Sequence, residues 1–214
     1  TLASFETVDG PYRFAVADRQ SGRAPETEDP AVLEWIGRFL GRLHAVGRRS
    51  AFAARLSLDV DSVGTAARDW LLAADCIPVE ALPAWRDTSA AALAAARSAF
   101  DAQSGARRLR LHGDCHPGNI LWTDAGPHFV DLDDALTGPA VQDLWMLLSG
   151  SRADRSRQLA ALLDGYEQFM DFDWRELRLV EPLRTLRIIH HSAWIARRWN
   201  DPAFPVAFPW FASP

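Results

Sequence analysis

The stretch Leu111-His112-Gly113-Asp114-Cys115-His116-Pro117-Gly118-Asn119, with Phe129-Val130-Asp131-Leu132-Asp133-Asp134 after it, restricts the fold of this chain more than any other. Two glycines and a proline among polar side chains favour a tight loop over a regular helix. Before it, Leu109 and Leu111 alternate with Arg108 and Arg110 as a short strand. After it, Ile120 to Trp122 and His128 to Val130 read as a hairpin around Thr123-Asp124-Ala125-Gly126-Pro127. The loop and the hairpin therefore hold Asp114, Asn119 and Asp131 near one another. One carboxylate able to orient a hydroxyl, with an Asn and a second Asp to hold Mg²⁺, is the layout of a phosphoryl-transfer site. Such transfer asks for positioning and charge neutralisation, and Mg²⁺ takes hard oxygen ligands with only one or two carboxylates.

The alternative is a plain capping loop, since Asp, Gly and Asn are common turn residues. The full His-Gly-Asp-x-His-x-Gly-Asn followed by Val-Asp is far more specific than a lone Asp-x4-Asn. Asp133 and Asp134 fit the surroundings of the metal or a cap on the chain that follows. Leu121 and Val130 are placed either to floor an adenine pocket or to serve as strand core. His112 is expected to brace the loop and His116 to approach a phosphate. The set His112, Cys115 and His116 is too tightly spaced for zinc and lacks a fourth ligand.

The remainder reads as mostly helical. Tyr12 to Ala17 is an expected strand and Asp18 to Glu28 a linker. Asp29-Pro30 opens a helix carrying Leu33, Ile36, Leu40 and Leu43 to about Gly47. Further helices are expected at about Val63 to Ala74, Ala84 to Ala102, from Val141, and along Leu159 to Phe169. Asp173-x-x-Glu176 resembles a capping box for a last long helix towards Trp199, kinked or split by Pro182. The tail from Asn200 is expected to be irregular.

The 214 residues include 23 basic side chains, all arginine, against 28 acidic ones, for a net charge of −5. That balance argues against sequence-independent nucleic-acid binding. The absence of a long apolar run argues against a membrane span, and two cysteines point to a reducing cytoplasm. Thr1 as first residue suggests a processed or partial chain.

The loop and hairpin closely resemble the bacterial stress-response serine/threonine kinase family, a branch of the aminoglycoside-phosphotransferase-like, protein-kinase-like fold. Gly37-Arg38-Phe39-Leu40-Gly41-Arg42-Leu43-His44, Gly138 to Met146, Glu181-Pro182-Leu183-Arg184 and Asp201 to Pro205 extend the likeness over most of the chain. The resemblance implies an α+β, mainly helical C-terminal lobe using ATP and Mg²⁺. It makes Asp114 catalytic and Asn119 and Asp131 metal ligands. It makes Phe14 to Ala17 the hinge strand, with the backbone of Ala15, Val16 and Ala17 receiving adenine, and Asp143 a buried anchor of the loop. Residues 1–28 would then be a remnant hinge strand and linker, and 29–214 the helical catalytic lobe. The lysine-bearing lobe that grips ATP in this family has no counterpart here, so the polypeptide alone is expected to be a weak enzyme or an inactive one. The implied acceptor is a protein Ser/Thr hydroxyl or, as the alternative, a small alcohol such as an aminoglycoside, choline or homoserine. A pseudokinase-like binding module and, more weakly, a metal-dependent phosphohydrolase are the other readings. An uncovered interlobe surface would favour self-association.

Overall fold

A computed structural model describes residues 2–211. Thr1 and positions 212–214 of the two expected divisions lie outside the described residues. The chain opens with a hairpin of β1 (Leu2–Thr7) and β2 (Gly10–Ala15), in register from Leu2 opposite Ala15 to Thr7 opposite Gly10. The expected strand is present but starts two residues earlier, ends at Ala15 and has a partner strand, so Val16 and Ala17 lie beyond it. From residue 4 on, the side chains of this hairpin are exposed apart from the half-buried Gly10.

Helix α1 (Pro30–Gly47) starts where Asp29 accepts a hydrogen bond from the Ala31 N–H at 2.9 Å, with Pro30 in the first turn. A π-helical turn (Val60–Thr65) leads into α2 (Ala66–Ala73), followed by α3 (Leu82–Ala102). The helix expected from Val63 thus begins as a wider turn. Its N-cap Asp59 accepts from Ser62 N–H at 2.7 Å.

Next come β3 (Leu109–Leu111), the motif loop, and the antiparallel pair β4 (Ile120–Thr123) and β5 (Gly126–Phe129). Strand β6 (Leu136–Gly138) returns antiparallel to β3. Helices α4 (Gln142–Trp145), α5 (Arg152–Tyr166), α6 (Val180–Arg197) and α7 (Ala203–Ala207) complete the described chain. The tail expected to be irregular therefore holds a short helix.

Two further expectations change near α6. Asp173 does cap the start of a 3-10 stretch (Trp174–Leu179), but Glu176 turns inward to Val141 rather than back to the cap. Pro182 sits in the first turn of α6, where no backbone N–H is required, and the helix runs on through it.

The main core joins α1, α5, β3 and α4 through fully buried Leu33, Ile36, Leu40, Leu109, Leu144, Leu162 and Tyr166. A smaller core of Leu71, Leu93, Ala96, Leu186 and Ala193 ties α2 and α3 to α6. Gly37 of α1 and Gly165 of α5 each lie against the partner helix's backbone, where a Cβ would collide. That close approach seats Tyr166 beside His44.

Candidate active site

The motif loop is held from beneath by one buried carboxylate. Asp143, at the start of α4 and fully buried, accepts hydrogen bonds from the backbone N–H of His112 at 2.8 Å and of Gly113 at 2.9 Å. It also accepts from Nε2 of the buried His44 at 3.0 Å, while the Tyr166 hydroxyl donates to His44 Nδ1 at 2.9 Å. The chain Tyr166–His44–Asp143 links α5 and α1 to the loop, and each group satisfies the next in the low-dielectric interior. Burial pushes the Tyr166 hydroxyl's pKa well up, so it stays a neutral donor. Gln142 Nε2 adds a bond to the Gly113 carbonyl at 2.8 Å.

Gly113 has φ +90, and a Cβ there would strike the Asp134 carbonyl. Gly118, also expected to relax the loop, lies outside the left-handed region; its N–H donates to His116 Nδ1 at 3.0 Å. That bond leaves the proton of a neutral His116 on Nε2, 3.5 Å from Asp114 Oδ2.

Asp114 emerges from this frame with its side chain 19% exposed. Its backbone carbonyl accepts from Asn119 Nδ2 at 2.9 Å, which turns the Asn119 amide so that its oxygen makes no hydrogen bond among the described residues. Val130 N–H donates to the Asn119 carbonyl at 3.0 Å, bringing Asn119 and Asp131 to the same end of the β4–β5 hairpin. Asp131 is exposed, adopts the left-handed conformation at φ 61, and makes no side-chain hydrogen bond among the described residues. A non-glycine residue there is strained, and such strain concentrates at functional sites. The side-chain oxygens of Asn119 and Asp131, without hydrogen-bond partners among the described residues, are a donor set that would suit a hard divalent cation. Among the described residues no group of three or more His, Cys, Asp or Glu side chains forms a metal cluster, so a larger cage is absent there.

The remaining expected residues divide. His112 braces the loop as expected, its Nε2 donating to the Val130 carbonyl at 2.8 Å, although its buried Nδ1 has no partner among the described residues. Leu121 and Val130 are half-buried beside Asn119 and Asp131. Ala15, Val16 and Ala17 are exposed at the end of β2, outside the cavity that contains Asp114. Asp133 and Asp134 form an exposed helical turn lining that cavity, and no side-chain cap is formed. Cys115 is fully buried and burial raises its thiol pKa well above normal, which makes it a poor nucleophile.

The cavity beside Asp114 has a volume of about 200 Å³. Its apolar wall includes Leu56, Val63, Leu183 and Leu186, and its polar rim includes Arg55 and Arg187. Arg187, from α6, donates to Asp114 Oδ1. No sequence motif marks that partner, which lies 73 positions from Asp114. His190 and His191 follow it on α6, and burial lowers both their pKa values.

A family model, the phosphotransferase enzyme family (APH), matches residues 5–180. The chain belongs to the APH phosphotransferase family. Stress response kinase A of Escherichia coli (strain K12) is 45% identical over 203 residues, covering 93% of this chain and 60% of that protein. The serine/threonine protein kinase RdoA of Salmonella typhimurium (strain LT2) is 43% identical over 199 residues, with coverage of 93% and 60%. The chain thus spans three-fifths of the length of these curated relatives. Among solved structures, amicoumacin kinase hAmiN in complex with AMP-PNP, Ca²⁺ and Ami superposes with a TM-score of 0.66 at 14% identity, covering 98% of this chain and 66% of that one. A choline/ethanolamine kinase family protein from Mesorhizobium loti gives 0.59 at 16% identity, covering 96% and 68%. These likenesses establish the APH-like, protein-kinase-like fold. Its α+β, mainly helical class agrees with the sequence expectation.

Proposed function

We propose that this APH-family chain carries the metal-and-acceptor half of an ATP-dependent kinase site, and that the acceptor is a protein Ser/Thr hydroxyl in a stress-response setting. The carrying observation is the convergence of Asp114, Asn119 and Asp131 on one loop and hairpin end, with the side-chain oxygens of Asn119 and Asp131 free of hydrogen-bond partners among the described residues. The relatives named stress response kinase A and RdoA support the protein-kinase reading. We place the transfer chemistry in the helical part, residues 29–214, with 1–28 as the hinge strand and linker.

In this reading the side-chain oxygens of Asn119 and Asp131 would hold a divalent ion, which would supply charge neutralisation to the phosphates. Asp114 receives the acceptor's O–H at Oδ2 and aligns its oxygen with the terminal phosphorus. As that oxygen–phosphorus bond forms, the bond from phosphorus to ADP breaks, and Asp114 takes the hydroxyl proton before passing it to solvent. The loop is rigid because Asp143 and Gln142 hold its backbone, so little reorganisation is left for the reaction. The 214 residues hold no lysine to steady the nucleotide phosphates, so transfer by this polypeptide alone is expected to be weak.

The fold is shared with small-molecule kinases, which makes a small alcohol the second reading. A leucine-rich wall and an arginine on the candidate base suit a peptide better than a polycationic sugar. The test is transfer of labelled γ-phosphate by the full-length gene product to Ser/Thr peptides, compared with kanamycin and choline. Peptide labelling that falls about a hundredfold in Asp131→Asn is the expected result. Labelling of the small alcohols alone, or transfer untouched by the substitution, would overturn the reading.

A further inference from the structure

The loop that carries Asp114 has all the backbone support it needs without α6. Asp143 binds the N–H groups of His112 and Gly113, Gln142 binds the Gly113 carbonyl, and Asn119 binds the Asp114 carbonyl. Arg187 contributes to none of these. Among the described residues its hydrogen-bonding partner is the Asp114 carboxylate alone, at Oδ1. The pair is partly shielded, with 38% of the Arg187 side chain and 19% of the Asp114 side chain exposed.

An aspartate carboxylate, carried on its Cβ methylene, has a broad terminal torsion and turns readily unless one oxygen is fixed. A planar guanidinium is suited to fixing it, because its donors form a rigid fork that stays charged. With Oδ1 taken, the second oxygen has, among the described residues, only the distant His116 Nε2 at 3.5 Å, a separation too long for a strong hydrogen bond. Oδ2 is therefore the oxygen left for an incoming hydroxyl. The α6 turn leading into Arg187 is also fixed, since Leu183 and Leu186, which both precede it, are buried in the two cores.

Resting on the transfer site proposed above, we infer that Arg187 is a positioning residue: it holds Oδ1 of Asp114 so that Oδ2 faces the cavity and receives the acceptor hydroxyl. Arg187 acts through Asp114 and has no part in holding the nucleotide or the metal. Its loss lets the carboxylate rotate away from the acceptor, a fault of alignment that shows in turnover rather than in nucleotide affinity.

The experiment compares the full-length gene product with Arg187→Ala, Arg187→Lys, Asp114→Asn and the double variant Asp114→Asn/Arg187→Ala. The acceptor probe is a pool of synthetic Ser/Thr peptides, ATP affinity is measured by calorimetry with Mg²⁺, and melting curves report folding. Arg187→Ala is expected to lower kcat about tenfold to a hundredfold while the ATP dissociation constant stays within about twofold. Added methylguanidinium is expected to restore at least part of that loss, and Arg187→Lys to retain more activity than Arg187→Ala. The double variant is expected to be no worse than Asp114→Asn alone, as for two residues acting as one unit.

A kcat of Arg187→Ala within twofold of the parent overturns the inference. So does a loss of kcat that follows a lower melting temperature, or one that neither methylguanidinium nor lysine repairs. If Asp114→Asn itself keeps full transfer, the proposed site falls. If Asp114→Asn is inactive and Arg187→Ala is normal, only the role of Arg187 falls.

Discussion

The motif loop and the amino-terminal hairpin are both short, locally folded segments, yet they are held by opposite means. The loop hangs from buried polar groups: Asp143, His44 and Tyr166 are all fully buried, and each bond is made far from water. The β1–β2 hairpin relies on its own strand pairing, with Phe5 66% and Tyr12 67% exposed and the Thr7 hydroxyl donating to the Gly10 carbonyl at its turn. A buried network costs heavily when one member is lost, because the others remain desolvated without partners. An exposed ladder loses little from any one side chain. The candidate active site is therefore built on the part of the molecule least able to yield.

Three substitutions probe that contrast. Asp143→Ala leaves the N–H groups of His112 and Gly113 without their acceptor, as well as the His44 ring. Urea denaturation is expected to show a loss of about 3–5 kcal/mol. A cost below about 1 kcal/mol would mean that the network does not hold the loop.

Glu176→Gln tests the same region through pH. The Glu176 carboxyl, buried under α4 and accepting the Val141 N–H, is raised by burial from an ordinary 4.5 to about 7. A folded-state pKa above the unfolded one means stability that is complete below pH 4.5 and lost as the pH rises through 7. The parent is thus expected to lose ~3 kcal/mol between pH 4.5 and pH 8 that Glu176→Gln keeps. Parallel stability curves for the two proteins would show that the buried carboxyl carries no such cost.

The smallest effect belongs to the hairpin. Tyr12→Ala should change unfolding by no more than about 0.5 kcal/mol. Amide exchange is expected to be faster along β1 and β2 than at His112 and Gly113. A Tyr12→Ala penalty equal to that of Asp143→Ala would erase the distinction between the regions.

Much of this was legible in the residues because the signals were local. Asp29-Pro30 marked the start of α1, the Thr123 to Pro127 turn marked the β4–β5 hairpin, and the Asp114, Asn119, Asp131 spacing marked the loop and hairpin end proposed as the site. What escaped depends on long-range contacts. The pairing of Leu2–Thr7 with β2 carries a weak alternation, since little of either strand is buried. Glu176 looked like half of a capping box because position three after Asp173 is right for one, whereas the fold offered its carboxyl the Val141 N–H instead. The role of Arg187 is invisible in sequence, as nothing within its own helix points to an aspartate 73 positions away. Pro182 looked like a helix breaker, but only because the true first turn of α6 begins as late as Val180.

The central claim, that Asp114 is the acceptor-orienting carboxylate of a kinase site, is tested most directly by Asp114→Asn in the full-length gene product. The account expects Mg²⁺·ATP binding within about twofold of the parent and a fall in phosphate transfer of about a thousandfold. Transfer within tenfold of the parent, with binding and folding intact, would contradict it.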